Sequence, residues 1–518
     1  MSLARLASGE ALRATIDPDK WSTRYFNYAA LASFFRIIWV ICQTSGVFGE
    51  TGPDWTIDFE NLLGTALIAY AVLGLIGLVG AIYIRTSSET NEPISNLITN
   101  YAGAVVFIVI AERVSMVALE NPLPFVTWMG LLRDGIIRGG VFALIALGYT
   151  LVYGILFMIN FAHGEVMMLG AYGGWFALMF LVDNGSRTFE SGAAVLSLWA
   201  VPLFVGILFL PLENIMTRFG RQRHSGIQDP TQIFTLLSIP VRLLLGAAVG
   251  YGALVGLGVA APELHLIVIT VVGLLFVTLV GMATSSLVAI VLERVAYRPL
   301  RKAPRLTPLI SAIGASIFLQ QVALRIFGPI GRTYRLGNPK LLNDPITFDL
   351  DLGRLGTVPI SKVGVVITLT SLMLMALLYF IVLRTKLGRG MRAVAEDKDT
   401  AALMGANVDR IIVLTFVMGA ALAGAAGVML GFRGEQIRAR FGFTYGLKAF
   451  TAAVLGGIGN IPGAMLGGFF LGLVEALGPT ALGFDNAWQN AISFSLLVLV
   501  IIFRPTGILG EVTAEKKV

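Results

Sequence analysis

Residues 266–292 read LIVITVVGLLFVTLVGMATSSLVAIVL, a run without one charged side chain. The hydrocarbon core of a bilayer needs about 20 apolar residues per crossing helix, and this run exceeds that length. It is also too long for a strand, so it reads as a membrane helix. Residues 61–84 and 362–383 read the same way, and weaker spans fall near 27–45, 101–119, 136–157, 164–182, 193–211, 236–260, 308–328, 411–431 and 487–503. The composition agrees: 56% of the 518 residues are apolar and only 13% are charged, against about 25% charged in a soluble domain. The expected fold is all-α, a polytopic transmembrane helical bundle of about 12–14 membrane segments, one of them broken or re-entrant.

The broken segment lies within 448–479, where Gly456-Gly-Ile-Gly-Asn-Ile-Pro-Gly463 interrupts two apolar stretches. So many glycines and a proline cannot continue a helix, and irregular backbone at membrane depth must be buried in protein or line a watery cavity. Two half-helices or a tight hairpin meet that requirement. A second interruption stands at Asn160-Phe-Ala-His-Gly-Glu165, where Asn160 can cap the next helix and Glu165 lies near its positive end. Paired helix breaks point to a transport path. This makes Asn160, Phe161, His163, Glu165, Gly456, Gly457, Asn460 and Pro462 the candidate pathway residues, with Phe161, Met167, Met168 and Phe450 as an apolar wall. Gln321 and Arg325 share a helix face that lipid would penalise, so that face is expected to point into protein. Glu475 is the other intramembrane acid, expected to bond between helices.

The net charge of +7 would suggest nucleic acid in a soluble chain. Here the bases sit in loops between apolar runs, so lipid headgroups are the expected partner and nucleic acid is not. With residues 1–26 placed inside, the inside loops hold 19 Lys and Arg and the outside loops 9. That bias places both termini in the cytoplasm. No apolar core interrupts the charges of residues 1–26, so no cleaved signal peptide is expected. Cys42 is the only cysteine, and the three histidines are scattered, so no metal site is expected. There is no Gly-Lys dipeptide, hence no P-loop, and no His-Glu-x-x-His, Gly-x-Ser-x-Gly or Cys-x-x-Cys. No catalytic residue is assigned, and an enzyme is not expected.

Residues 384–410 form the most informative loop. From Met391 to Met404 the pattern suits a short amphipathic helix ended by Gly405, with Val394, Leu403 and Met404 as apolar contacts. It reads equally as a solvated loop helix and as a docking peg for a cytosolic partner. Gly390-Met-Arg-Ala-Val-Ala-Glu-Asp397 with Ala401-Ala-Leu-Met-Gly-Ala-Asn407 resembles the coupling loop of the bacterial branched-chain amino acid (Liv-type) ABC importer permeases. Four more stretches resemble the same family, in its order: Ala146–Gly154 with Asn160–Glu165, Leu292-Glu-Arg-Val-Ala-Tyr-Arg-Pro-Leu300, Gly446-Leu-Lys-Ala-Phe450 with Gly456–Gly463, and Phe503-Arg-Pro-Thr-Gly507.

The resemblance implies a permease subunit in the inner membrane working by alternating access, beside a second permease subunit. Two cytoplasmic ATPase subunits would hold ATP and Mg, this chain binding no cofactor, and an external binding protein would deliver substrate. It also implies that Arg392, Ala393, Glu396, Asp397, Ala402, Leu403 and Gly405 belong to the ATPase-coupling surface. Against the family pattern, residues 1–125 read as an N-terminal extension with up to three extra helices. Residues 126–510 read as the permease core, and 193–260 as an inserted two-helix stretch. Branched-chain amino acids lead as substrate. Urea or short amides within the family, an ion-coupled secondary transporter and a membrane scaffold stand as alternatives.

Overall fold

The computed structural model describes residues 18–45, 66, 70, 94–182, 189–208, 231–301, 303–304, 306–334, 357–503, 506–507 and 509. Most of the expected span at 61–84 and the loop at 212–230 lie outside the described residues. The described chain is helical, with an isolated β bridge between Arg332 and Ile437. The helices are α1 (Pro18–Thr44), α2 (Ile94–Glu120), α3 (Phe125–Leu156), α4 (His163–Val182) and α5 (Phe189–Leu208). Next come α6 (Thr231–Ala260), α7 (Pro262–Leu292), α8 (Leu306–Phe327), α9 (Lys362–Arg384) and α10 (Lys386–Glu396). The last are α11 (Lys398–Leu403), α12 (Val408–Phe432), α13 (Phe441–Gly456), α14 (Ile461–Leu482) and α15 (Gln489–Phe503).

Among the described residues, seven helices are long and apolar enough to cross a membrane: α3, α4, α7 with the turns after it to Leu300, α8, α9, α12 and α14. Shorter apolar stretches lie in α1, in α5, in α6 and at Asn486–Ile502. The chain is a multi-pass membrane protein. The broken segment is a hairpin: α13 and α14 are joined by the turn 457–460, where Gly457 and Gly459 take positive φ of 103° and 96°.

The centre of the bundle is α3, α4 and α12, with α7, α13 and α14 around them. In lipid there is no hydrophobic drive between helices, so small residues that let backbones touch do the assembling. The most extensive pair is α3 with α14. A Cβ added at Gly139 would lie 2.7 Å from Phe469 Cα, and one at Gly472 would lie 2.3 Å from the Gly139 nitrogen. A second crossing joins Gly170, Gly281 and Gly424 of α4, α7 and α12, and is bonded by Ser285 Oγ donating to the Val166 carbonyl at 2.9 Å. Gly472→Val therefore meets backbone that cannot yield. Overpacking of this kind costs about 1–3 kcal/mol, so the apparent melting temperature in detergent is expected to fall. Gly314→Ala, where the added Cβ has no heavy atom within 4 Å, is expected to leave it unchanged.

The outer helices turn apolar side chains to the surroundings, as Leu279 on α7, Phe318 on α8 and Phe380 on α9 do. Gln321 and Arg325 are exposed as well, contrary to the expected inward face. Gln320 takes the inward position and bonds Glu165, and its neighbour is turned about 100° away on the helix.

Candidate functional site

Three places carry the polar chemistry of the bundle. The first is the α3–α4 break. Phe157, at φ 54°, is the one non-glycine residue with positive φ among the described residues, and it ends α3. Asn160 Oδ1 accepts from the Ala162 N–H at 3.2 Å and from the Tyr297 O–H at 2.6 Å. The His163 N–H then donates to the Asn160 carbonyl at 3.1 Å, which starts α4. Asn160, His163 and Glu165 are all buried. His163 sits edge-on to the Tyr149 ring at 4.8 Å, and its Nε2 has no hydrogen-bond partner among the described residues. Glu165 Oε1 accepts from Gln320 at 2.8 Å and from Ser316 at 3.3 Å, both on α8, while Oε2 has no partner among the described residues. The Phe161 and Phe450 rings lie 6.0 Å apart, and Met167 and Met168 are fully buried.

The second place is the α13–α14 turn. Asn460 caps α14, its Oδ1 accepting from the Gly463 N–H at 3.1 Å, while its Nδ2 donates to the Leu509 carbonyl at 2.8 Å. Gly456 receives the Leu509 N–H, Gly457 ends α13 and Pro462 opens α14. The two breaks do not form one pocket. Gly164 packs on Gly442 and Gly446 of α13, and Gly446 stands about 15 Å of helix from Gly456. Asn460 is spent on capping and on the C-terminal segment.

The third place is the 384–410 segment. It is two helices, not the single helix expected from Met391 to Met404. Arg392 Nη1 donates back to the Val382 carbonyl at 3.0 Å and so caps α9. Met391 and Val394 are buried against the bundle, so Val394 is not part of the outer surface. Asp397 then caps α11, accepting from the N–H groups of Asp399 at 2.9 Å and Thr400 at 3.2 Å. Gly405, at φ 86°, closes the segment and Asn407 caps α12. Arg392, Ala393, Glu396, Asp397, Ala402, Leu403 and Gly405 are all exposed. Leu403 is 88% and Met404 84% exposed, unusual values for large apolar side chains.

Two further polar groups lie outside the candidate pathway residues, and of their members only Glu475 was expected to bond between helices. Glu293 and Tyr297 lie in a π-helical turn after α7, and Glu293, fully buried, pairs with Arg301. Arg301 also pairs with Asp409, which Arg298 joins at 2.9 Å. Burial first, and then the nearby Arg301 guanidinium, hold the Lys398 ammonium below the usual lysine range, with Asp399 opposing. The second group is Lys448, Arg138 and Glu475. The cost of an intramembrane acid was the signal available for Glu475, whereas Glu293 follows the apolar run and carried none, and the sequence alone does not supply the partners of either. Among the described residues no cluster of His, Cys, Asp or Glu is arranged to hold a metal.

Residues 131–501 match the family model described as the permease component of branched-chain amino acid transport systems. The chain belongs to this family. It is 37% identical over 385 residues to the high-affinity branched-chain amino acid transport system permease protein BraD of Pseudomonas aeruginosa, covering 74% of this chain and 96% of that one. It is 36% identical over 392 residues to the corresponding LivH protein of Escherichia coli K12, covering 76% and 98%. No solved structure matches it. The matched residues include the α3–α4 break, the 384–410 segment and the α13–α14 turn.

Proposed function

We propose that this permease moves branched-chain amino acids across the inner membrane by alternating access, as the membrane subunit of an ATP-binding cassette importer. A second permease subunit completes the path, an external binding protein delivers substrate, and two cytoplasmic ATPase subunits holding ATP and Mg drive it. The single observation that carries this reading, on a chain of this family, is the uncovered apolar pair Leu403 and Met404 at the end of α11, the short helix capped by Asp397. A cytosolic ATPase is the partner that would cover them. The 384–410 segment and both termini then face the cytoplasm, in keeping with the loop charges.

The substrate path runs along the α3–α4 break. Phe161 and Phe450 offer an apolar wall, and the start of α4 with the unpartnered Glu165 oxygen offers polar groups suited to an amino acid. An ion-coupled carrier would need a poised intramembrane acid. Glu475 is neutralised by Lys448 and Arg138, which disfavours that mechanism at this acid, and Glu165 belongs to the substrate path in the present reading. In the extension, α1 and α2 are joined by Arg36 and Glu112 at 2.6 Å, and α2 touches α14 and α15. The helices α1 and α2 therefore act as a brace along that edge, and the 193–260 insertion adds α5 and α6 beside α7.

Proteoliposomes holding the co-purified complex test the reading. ATP should drive uptake of leucine, isoleucine and valine, and urea and short amides should be poor substrates. Uptake on an ion gradient without ATP would refute it. Covering a large apolar side chain is worth about 1.5–3 kcal/mol, and each 1.4 kcal/mol is tenfold in affinity. Leu403→Asp with Met404→Asp is therefore expected to weaken ATPase co-purification by at least tenfold, with membrane insertion unaltered.

A further inference from the structure

We propose that Tyr297, with Arg301 and Asp409, ties the coupling segment to the α3–α4 break, making Tyr297 a positioning residue for the opening of the substrate path. The proposal rests on the permease reading above and assigns a task to a turn that has none there.

At one end of the tie, Asp409 lies in the first turn of α12, directly after α11 and its closing Gly405. Arg298 and Arg301 both hold its carboxylate. At the other end, the Tyr297 hydroxyl donates to Asn160 Oδ1 at 2.6 Å, and that oxygen also takes the Ala162 N–H. Between the two lies the π-helical turn Glu293–Tyr297, anchored by the fully buried Glu293 pairing with Arg301. Turns of this kind recur at functional sites because one extra residue widens the helix locally.

The materials of this connection differ from their surroundings. Most neighbouring helices meet through apolar side chains and glycine backbones, which can slide, with polar bonds at a few points such as Ser285 to Val166 and Lys448 to Glu475. The tie consists of charge-assisted and buried hydrogen bonds, which are directional. Tyr297 is 1% exposed, with its ring 5.6 Å from that of Phe416 on α12. Its hydroxyl therefore has no water to replace Asn160 as acceptor. A displacement of α11 that shifts the start of α12 pulls on Arg301, then on the π turn, then on the oxygen that shapes the entrance to α4. Immediately beyond that oxygen stand His163 and Glu165.

The test uses the full transporter in proteoliposomes, with ATP hydrolysis and amino-acid uptake measured on the same preparation. In Tyr297→Phe, the ATP consumed per substrate moved is expected to rise at least fivefold. Asp409→Asn, at a half-exposed position where folding is not at stake, should raise the same ratio, and Asp409→Glu should restore it. The double variant Tyr297→Phe with Asp409→Asn should be no worse than the poorer single one, because both cut one connection. A wild-type ratio in Tyr297→Phe would overturn the tie, as would effects that multiply in the double variant. If Tyr297→Phe fails to fold, Asp409→Asn decides alone, and an unchanged ratio there overturns it. Loss of folding without a change in ratio is what a merely structural tyrosine would give. A wild-type complex with no ATP-driven uptake would overturn the permease reading itself, and the tie with it.

Discussion

Replacing Glu475 with alanine is expected to destabilise the bundle by about 3–5 kcal/mol, the usual result of removing one partner from a buried ion pair. Glu475 Oε1 accepts from Lys448 Nζ at 2.9 Å and from Arg138 Nη1 at 3.3 Å, and Oε2 from Ser493 at 3.4 Å. Lys448 is only 4% exposed. Its ammonium also lies over the rings of Phe142 and Tyr445, at 5.9 and 5.5 Å. Those rings attract a cation but cannot neutralise it, and Arg138 keeps only Gln489, at 3.1 Å, among its hydrogen-bonded side chains here. Without the carboxylate two cations would face each other in a weakly polar interior. The penalty arises from the stranded charges more than from the lost bond. Lys448→Met combined with Glu475→Leu should accordingly recover most of the loss. Thermal unfolding in detergent of the two single variants and the double checks this. A Glu475→Ala chain melting with the wild type would show that the network contributes nothing to stability.

Much of this molecule was legible from residue order because the bilayer imposes a length. Runs of about 20 apolar residues marked helices such as α7 and α9 closely. Local chemistry was legible too: Asn160, expected to cap the next helix, takes the Ala162 N–H on its side chain and the His163 N–H on its carbonyl. Contacts between distant parts of the chain were not. Glu165 plainly needed a partner, but Gln320, 155 residues away, has no mark that separates it from Gln321. Glu293 looked like the first residue of a loop because the apolar run stops at Leu292, and the π turn carries the buried helix one step further. In the coupling segment the error lay in the pattern itself. Val394 and Leu403 are nine residues apart, which on one helix sets them about 180° apart at 3.6 residues per turn. No single helix shows both to one surface. The break at Asp397 resolves the conflict by burying Val394 and exposing Leu403.

Arg301→Ala is expected to be comparably damaging, again by about 3–5 kcal/mol, but for a reason that separates stability from work. Glu293 is 0% exposed and its Oε2 has no hydrogen-bond partner among the described residues. Its Oε1 accepts from Arg301, so alanine at 301 leaves a buried carboxylate without its counter-charge. The same substitution frees Asp409 from one of its two arginines. Adding Glu293→Gln removes the stranded charge, so the pair Arg301→Ala with Glu293→Gln should regain most of the lost melting temperature in detergent. It should not regain function, because nothing then joins the π turn to the start of α12 except the exposed Arg298 contact. The expected result is a folded chain whose complex hydrolyses ATP with little uptake. Full recovery of uptake along with stability would make Arg301 a counter-ion alone, whereas recovery of neither would place the essential contact at Glu293.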